Sequence, residues 1–166
     1  AWAHRGPGEM AVWIAREKDK ARPLPQPTLA SQSRVTASGE KNASSVNDQW
    51  EPKDSNDHSH PYLHWWPNKG TIEWVQYNFK QPATVSEVEV YWFDDTGRGE
   101  CRVPASWALF YLSGNEWKPV KALDPYGTEK DKYNRVRFDP VRTSALKIEI
   151  QLQDKFSAGI LEWKVK

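Results

Sequence analysis

Leu146, Ile148, Ile150 and Leu152 alternate with Lys147, Glu149 and Gln151. A period of two is that of an extended chain with one face turned inward. The same alternation sets Val88, Val90 and Trp92 against Glu87, Glu89 and Tyr91, and it recurs through Leu161, Trp163 and Val165. Near the N-terminus it links Met10, Val12 and Ile14 within residues 9–15. Residues 107–112 are apolar on both faces, as expected of a strand held between neighbours in a sandwich. Residues 72–79, 117–120 and 135–138 complete the set of expected strands. Turn signals separate them: Lys80-Gln81-Pro82, Ser113-Gly114-Asn115, Asp124-Pro125-Tyr126-Gly127 and Asp139-Pro140. Only residues 15–21 read as helical, for one turn or two, and Pro23 and Pro25 end them. Many short strands with Pro and Gly turns predict an all-β protein, a β-sandwich of about eight strands.

The pattern also divides the chain. Residues 21–27 are Pro-rich and lead into a polar stretch to residue 47, which reads as an extended linker. The single strand before it cannot bury itself. Residues 1–25 are therefore expected to be a terminal strand of an upstream β-sandwich plus its linker, and residues 26–166 the main domain. Residues 47–71 show no alternation and hold three of the four histidines. A loop this long in a compact domain is functional or disordered. Its Trp50, Trp65 and Trp66 favour order, because disordered segments are poor in aromatics.

Composition narrows the function. Ten Trp, six Tyr and five Phe stand in a chain of 166 residues that is only 38% hydrophobic. So many rings suit a β core plus exposed platforms for flat ligands such as sugars. The net charge of +1 argues against a nucleic-acid binder. No apolar stretch approaches the roughly 20 residues a membrane helix needs. Residues 1–15 carry Arg5 and Glu9 and lack the apolar core of a signal peptide. Cys101 is the single cysteine, so neither an intrachain disulfide nor a cysteine zinc site is expected.

An ordered set of short motifs then points to a family. It runs from Glu73-Trp74-Val75-Gln76-Tyr77-Asn78-Phe79 through Val85-Ser86-Glu87-Val88 and Pro104-Ala105-Ser106-Trp107. It continues with Trp117-Lys118-Pro119-Val120, Phe138-Asp139-Pro140-Val141-Arg142 and Ala158-Gly159-Ile160-Leu161-Glu162. The set, spanning roughly residues 35–165, resembles the galactose-binding-like, or discoidin (coagulation factor 5/8 C-type), domains, which include many carbohydrate-binding modules. A second resemblance lies in residues 2–14, WAHRGPGEMAVWI. They are similar to the closing strand of the β-sandwich that follows the barrel in glycoside hydrolase family 127, a family with β-L-arabinofuranosidases. This likeness implies a C-terminal piece of a larger glycosidase-like protein. Its partner would be the upstream catalytic domain, its location secreted or periplasmic, and the fragment itself a monomer.

The family likeness implies a structural calcium ion, held by an Asp after the first strand, a Glu on the last strand and backbone carbonyls. Asp48 stands at the family's Asp-Gly position, with Gln49 in place of Gly, and Glu162 matches the C-terminal Glu. Asp54, Ser55 and Asp57 are candidates for further oxygens, since a hard cation needs several at once. The plainer alternative is that Asp48 caps a turn and Glu162 is solvated.

Three segments carry ligand candidates. In the first, His60 and His64 could bond sugar hydroxyls. One of Trp65 and Trp66 is expected in the core; the other, with Trp66 the candidate, would be a sugar platform. The His-x-His spacing also raises zinc or copper, but no fourth ligand supports it. In the second, residues 93–104, Asp95, Arg98 and Arg102 offer acid and directional donors. Asp94 and Asp95 resemble paired glycosidase carboxylates, yet adjacent strand residues point opposite ways. In the third, Phe156 of the loop 153–159 could be a second aromatic contact or a core plug. No catalytic set emerges. The expected function is a non-catalytic accessory module of a glycoside hydrolase that binds plant-type glycans weakly at one loop-lined end. The rival is a structural module that docks on the parent enzyme and binds no sugar. Exposure of Trp66, His64 and Arg98 together separates the two.

Overall fold

The computed structural model describes residues 25–39 and 42–166. The expected strand at residues 9–15 and the likeness in residues 2–14 lie outside them. Seven strands follow in chain order: β1 (Arg34–Ala37), β2 (Leu63–His64), β3 (Ile72–Phe93), β4 (Ser106–Ser113), β5 (Glu116–Pro119), β6 (Tyr133–Gln151) and β7 (Gly159–Val165). A 3-10 helix, Ala43–Asn47, lies between β1 and β2. All strand pairings are antiparallel, in the order β2-β7-β3-β6-β4-β5, with β1 added on β3.

Two long strands make this a sandwich. The first part of β3 pairs with β1 and with the last part of β6, from Ile72↔Gln151 to Asn78↔Ala145. The second part of β3 pairs with the first part of β6 and with β7. The register breaks between Asn78 and Ala83 and again between Val85 and Glu87. Pro82 sits in the first break and Pro140 opposite the second. Proline has no N–H for the ladder, so the bends fall where it does least harm. Two layers result: β1–β3–β6–β4–β5 and β6–β3–β7–β2. The architecture is the all-β sandwich that the alternation predicted, of jelly-roll type, with seven strands among the described residues where about eight were expected. The expected pair of strands 72–79 and 88–92 is one bent β3, and 135–138 joins 146–152 as β6.

The inward faces of both layers meet in one core. Val75, Tyr77, Leu109, Ile148 and Ile150 face Val88, Val90, Trp92, Val136 and Trp163. Tyr77 stacks on Trp163 at 3.8 Å, and Trp92 meets Trp107 edge-on at 5.4 Å. Burying rings of this size contributes roughly 4–6 kcal/mol each before entropy is subtracted. Trp92 and Trp107 both donate to the Gly127 carbonyl, at 3.1 and 2.8 Å, while the buried Trp163 indole N–H has no hydrogen-bond partner. Those bonds fix the Asp124–Gly127 turn.

The outer face of the second layer is covered as well. Tyr91, Phe93, Cys101 and Leu161 pack there with Tyr62 and Tyr133. The long loop after the 3-10 helix is pinned across this face: Asp94 N–H donates to the Ser55 carbonyl at 2.9 Å, and Ser55 and Asp131 bond each other twice. The loop is thus ordered, as its aromatics suggested.

Candidate functional site

β2 is only two residues long and owes its position to β7, through Leu63↔Ile160 and His64↔Gly159. Beyond it, Trp65 N–H donates to the Ala158 carbonyl at 3.1 Å, and Asn68 N–H closes a turn onto the Trp65 carbonyl at 2.8 Å. Trp65 points inward, 2% exposed, and its indole N–H donates to the Ser38 carbonyl at 2.9 Å. Trp66 points outward and is 41% exposed. The ambiguity between the two is settled: Trp65 is core and Trp66 is surface. Glu73 braces the turn from below. It is buried, and its Oε2 accepts from Thr71 Oγ1 at 2.5 Å and from Asn68 Nδ2 at 3.1 Å.

The loop after β3 forms the facing wall. Asp94 Oδ1 accepts from Thr96 N and Oγ1, and its Oδ2 accepts from Val103 N at 3.0 Å. Asp95 Oδ1 accepts from Cys101 N at 2.8 Å, while the Asp95 carbonyl takes the N–H groups of Arg98 and Gly99. Both carboxylates thus hold loop backbone, and neither is set up as one of two catalytic acids. A Cβ at Gly99 would lie 2.2 Å from Asp95 Oδ2, so any other residue there would push the Asp95 carboxylate aside. Arg102 Nη1 donates to the carbonyls of Gly99 and Cys101, both at 2.8 Å. Its guanidinium lies 4.3 Å from the Phe156 ring centroid, and Nη1 is 3.7 Å from Asp95 Oδ1. Phe156 is half-buried beneath it. The backbone of loop 152–158 is tied to this wall by Ser157 N to the Glu100 carbonyl and Arg102 N to the Ser157 carbonyl, each 2.9 Å.

Between these loops opens a pocket of about 280 Å³, lined by Tyr62, His64, Trp66, Asp95, Gly99, Glu100 and Cys101. Tyr62 is stacked on Phe93 at 3.9 Å. Burial, with the nearby Cys101 and Asp95, raises its hydroxyl pKa, so it stays a neutral donor. The Cys101 thiol is pushed up to about 12, chiefly by burial and then by Asp95, which makes it a wall and not a nucleophile. Lys69 Nζ lies 5.2 Å from the Trp66 ring centroid and pairs with Glu100. Three expected ligand residues, His64, Trp66 and Asp95, therefore share one pocket. Arg98, exposed, and Arg102 and Phe156 belong to the same cluster of loops. Tyr62, Lys69, Glu73 and Glu100 were not anticipated.

His60 is elsewhere. Its Nε2 is 2.5 Å from Asp48 Oδ2, and its ring stacks on exposed Trp50 at 4.5 Å. This corrects its expected place beside His64: Asp48 and Trp50 hold it, and it does not line the pocket. Next to it, Gln49 adopts a left-handed φ of 64°, a conformation that glycine takes most readily. The Gln49 N–H donates to Glu162 Oε2 at 3.0 Å. Glu162 is not solvated. It is 2% exposed, and its Oε1 has no hydrogen-bond partner. Burial, then the facing Asp48 carboxyl, pushes its pKa up to about 10. Two acids facing each other, one buried with an orphaned oxygen, fit a hard divalent cation, which would favour the charged form of both. Asp54 and Asp57 instead hold their own turns. Asp54 Oδ1 accepts from Asn56 N, and Asp57 accepts from Lys53 N, Ser59 N and Ser59 Oγ. Among the described residues no three His, Cys, Asp or Glu side chains converge, so neither joins Asp48 and Glu162 in one ligand set. Other oxygens would have to be backbone carbonyls.

The protein is thus an all-β jelly-roll module with an aromatic pocket between its end loops. A family model described as the F5/8 type C domain matches residues 34–163, and the chain belongs to that family. Comparison with curated proteins finds no match. Among solved structures, the chain is similar to chitosan-binding module 1 of a chitosanase/glucanase from Paenibacillus sp. IK-5. The identity is 17%, over 85% of this chain and 99% of that one, with a TM-score of 0.60. It is also similar to the family 32 carbohydrate-binding module of Clostridium perfringens NanJ, solved with galactose. There the identity is 17%, the coverage 82% and 95%, and the TM-score 0.61. A pectin-binding carbohydrate-binding module aligns at 16% identity over 80% and 88% of the chains, with a TM-score of 0.53. At such identities the likeness shows the fold.

Proposed function

We propose that this chain is a non-catalytic carbohydrate-binding module whose binding site is the loop-lined end around Trp66. The observation that carries the reading is an outward-facing indole at the mouth of a mainly apolar pocket into which His64, Asp95 and Glu100 bring a few polar groups. The C–H face of a sugar ring would stack on Trp66, while Tyr62, His64 and Arg98 would bond its hydroxyls. Asp95 and Arg102 build the wall and leave ligand contact to their neighbours. Affinity from one platform and a few hydrogen bonds falls in the micromolar-to-millimolar range, about 4–8 kcal/mol. Trp66 and Arg98 are exposed and His64 is half-buried, so two of the three residues meet the exposure that separates sugar binding from docking. The solved neighbours that bind chitosan, galactose and pectin support it by analogy. We further assign plant-type glycans as ligands, a parent glycoside hydrolase with its catalytic domain upstream, and a secreted or periplasmic setting. Asp48 and Glu162 would hold a calcium ion whose charge neutralises their repulsion and ties the Asp48 turn to β7.

The test is a ¹⁵N HSQC titration against arabinose, galactose and pectic oligosaccharides with calcium present. Saturable shifts clustered on Tyr62, His64, Trp66 and Arg98, and lost in Trp66→Ala, are expected. No shifts at tens of millimolar sugar would overturn the reading and leave the docking role.

A further inference from the structure

The Trp66 platform is not bare. The Lys69 ammonium lies over its ring and is held there by Glu100 across the pocket mouth. The backbones beneath both side chains are fixed. Asn68 N is bonded to the Trp65 carbonyl, Gly70 N to the Gln153 carbonyl at 3.0 Å, and the Glu100 carbonyl accepts from Ser157 N. Only the two side chains can yield, and they are 36% and 49% exposed. A ring that stacks on Trp66 must therefore enter beside this ion pair or replace half of it. A neutral sugar offers nothing in exchange. A carboxylate on the sugar can take the place of Glu100 at Lys69. An ammonium on the sugar could take the place of Lys69 at Glu100.

The neighbouring charges decide between these. Asp95 lines the pocket as well, with Oδ1 accepting from Cys101 N at 2.8 Å and lying 3.7 Å from Arg102 Nη1, so its charge is offset by Arg102. Arg98 is exposed on the same wall, with its N–H held by the Asp95 carbonyl. Asp95 and Arg98 act with opposite sign on the Tyr62 hydroxyl, which lines the pocket. The end loops thus carry Lys69, Arg98 and Arg102 against Asp95 and Glu100, one positive charge in excess. That balance attracts an anion and repels an ammonium.

We propose that the Trp66 site selects sugar residues carrying a carboxylate, the uronic acids, with Lys69 as the residue that sets this preference and Glu100 as its internal competitor. The inference rests on the reading of the Trp66 end as a sugar site. The experiment is calorimetry and HSQC titration with trigalacturonate, its methyl ester, a glucuronate-containing oligosaccharide and chitotriose, at low and high salt. The methyl ester keeps the shape and loses the charge. An exposed ion pair supplies about two- to fivefold in affinity, and the acid is expected to exceed its ester by that factor. Added salt, or Lys69→Ala, should erase the difference between acid and ester. Glu100→Gln should tighten the acid. Stronger binding of the glucuronate than of the galacturonate would name the source of the acid within the same proposal. Equal binding of acid and ester, tighter chitotriose, or a preference that survives Lys69→Ala overturns the proposal while leaving a sugar site intact. No binding of any of them, with Trp66→Ala also silent, overturns both readings.

Discussion

Gly159→Ala asks whether a single methyl group at the start of β7 reaches the site. Gly159 pairs with His64 on one side and Phe93 on the other. An added Cβ would lie 2.6 Å from the Leu63 carbonyl oxygen, 3.2 Å from Phe93 Cβ and 3.3 Å from Phe93 Cδ2. Ordinary carbon–oxygen contacts begin near 3.3 Å, so the Leu63 carbonyl would have to retreat by about 0.7 Å. Phe93 is fully buried and cannot give way. β2 must move, and with it the turn that presents Trp66. Overpacking of this kind costs about 1–3 kcal/mol. For a chain of this size that lowers the melting temperature by about 2–12 °C. The assay is thermal melting by near-ultraviolet circular dichroism, paired with a sugar titration. The expected result is a lower Tm and weaker binding together. Gly114→Ala is the control: its φ is 63° and nothing lies within 4 Å of the new Cβ. It should cost about 1–2 kcal/mol of backbone strain with binding unchanged. A Gly159→Ala variant that melts within 1 °C (about the assay's scatter, below the smallest shift expected) and keeps its affinity would refute the argument that β2 is set by this contact.

Three further outcomes can be checked. Calcium at about 100 times its Kd should stabilise the fold by about 2.7 kcal/mol, seen as a Tm rise of about 5–11 °C, and Glu162→Gln should abolish the rise; an unchanged response in that variant would remove Glu162 from the site. Asp57, whose pKa is held down to about 2 by the Ser59 hydroxyl and the backbone N–H groups of Lys53 and Ser59, should stabilise the fold above its unfolded value of 3.8 and lose that contribution as pH falls through 2. The Tm gap between wild type and Asp57→Asn should therefore shrink from pH 5 to pH 2, and a constant gap would contradict it. Glu73→Ala should weaken sugar binding severalfold through loss of the Asn68 brace, an effect that Glu73→Gln, which keeps an acceptor oxygen, should largely rescue; equal losses in both would make Glu73 merely structural.

The strands with several turns of alternation were legible because one face of each is buried against the opposite layer. β1 and β2 were not, since four and two residues are too few to display a period. The bends in β3 and β6 read as turns because Pro82 and Pro140 punctuate a register break with the same residues that punctuate a loop. Which of Trp65 and Trp66 faces out depended on a hydrogen bond to Ser38, 27 residues away, and no local pattern encodes that. Asp48 and Glu162 were found through the resemblance, but their meeting depends on a contact across 113 residues between the Gln49 N–H and Glu162. His60 was misplaced because sequence proximity to His64 says nothing about which layer a loop crosses. Glu73 did leave a signal. It occupies the inward phase shared by Val75, Tyr77 and Phe79, and an acid on a buried face needs partners.

β7 has a consequence for how the molecule can be handled. It begins at Gly159 beside the pocket and ends at Val165, about 20 Å away at the rise of an extended chain. Lys166 and Pro25 line one cavity at that far pole. A biotin, fluorophore or short tether placed after Lys166 would therefore hold the module with Trp66 directed away from the support. Immobilised this way on a sensor or a glycan array, every copy would present the same face to the solution.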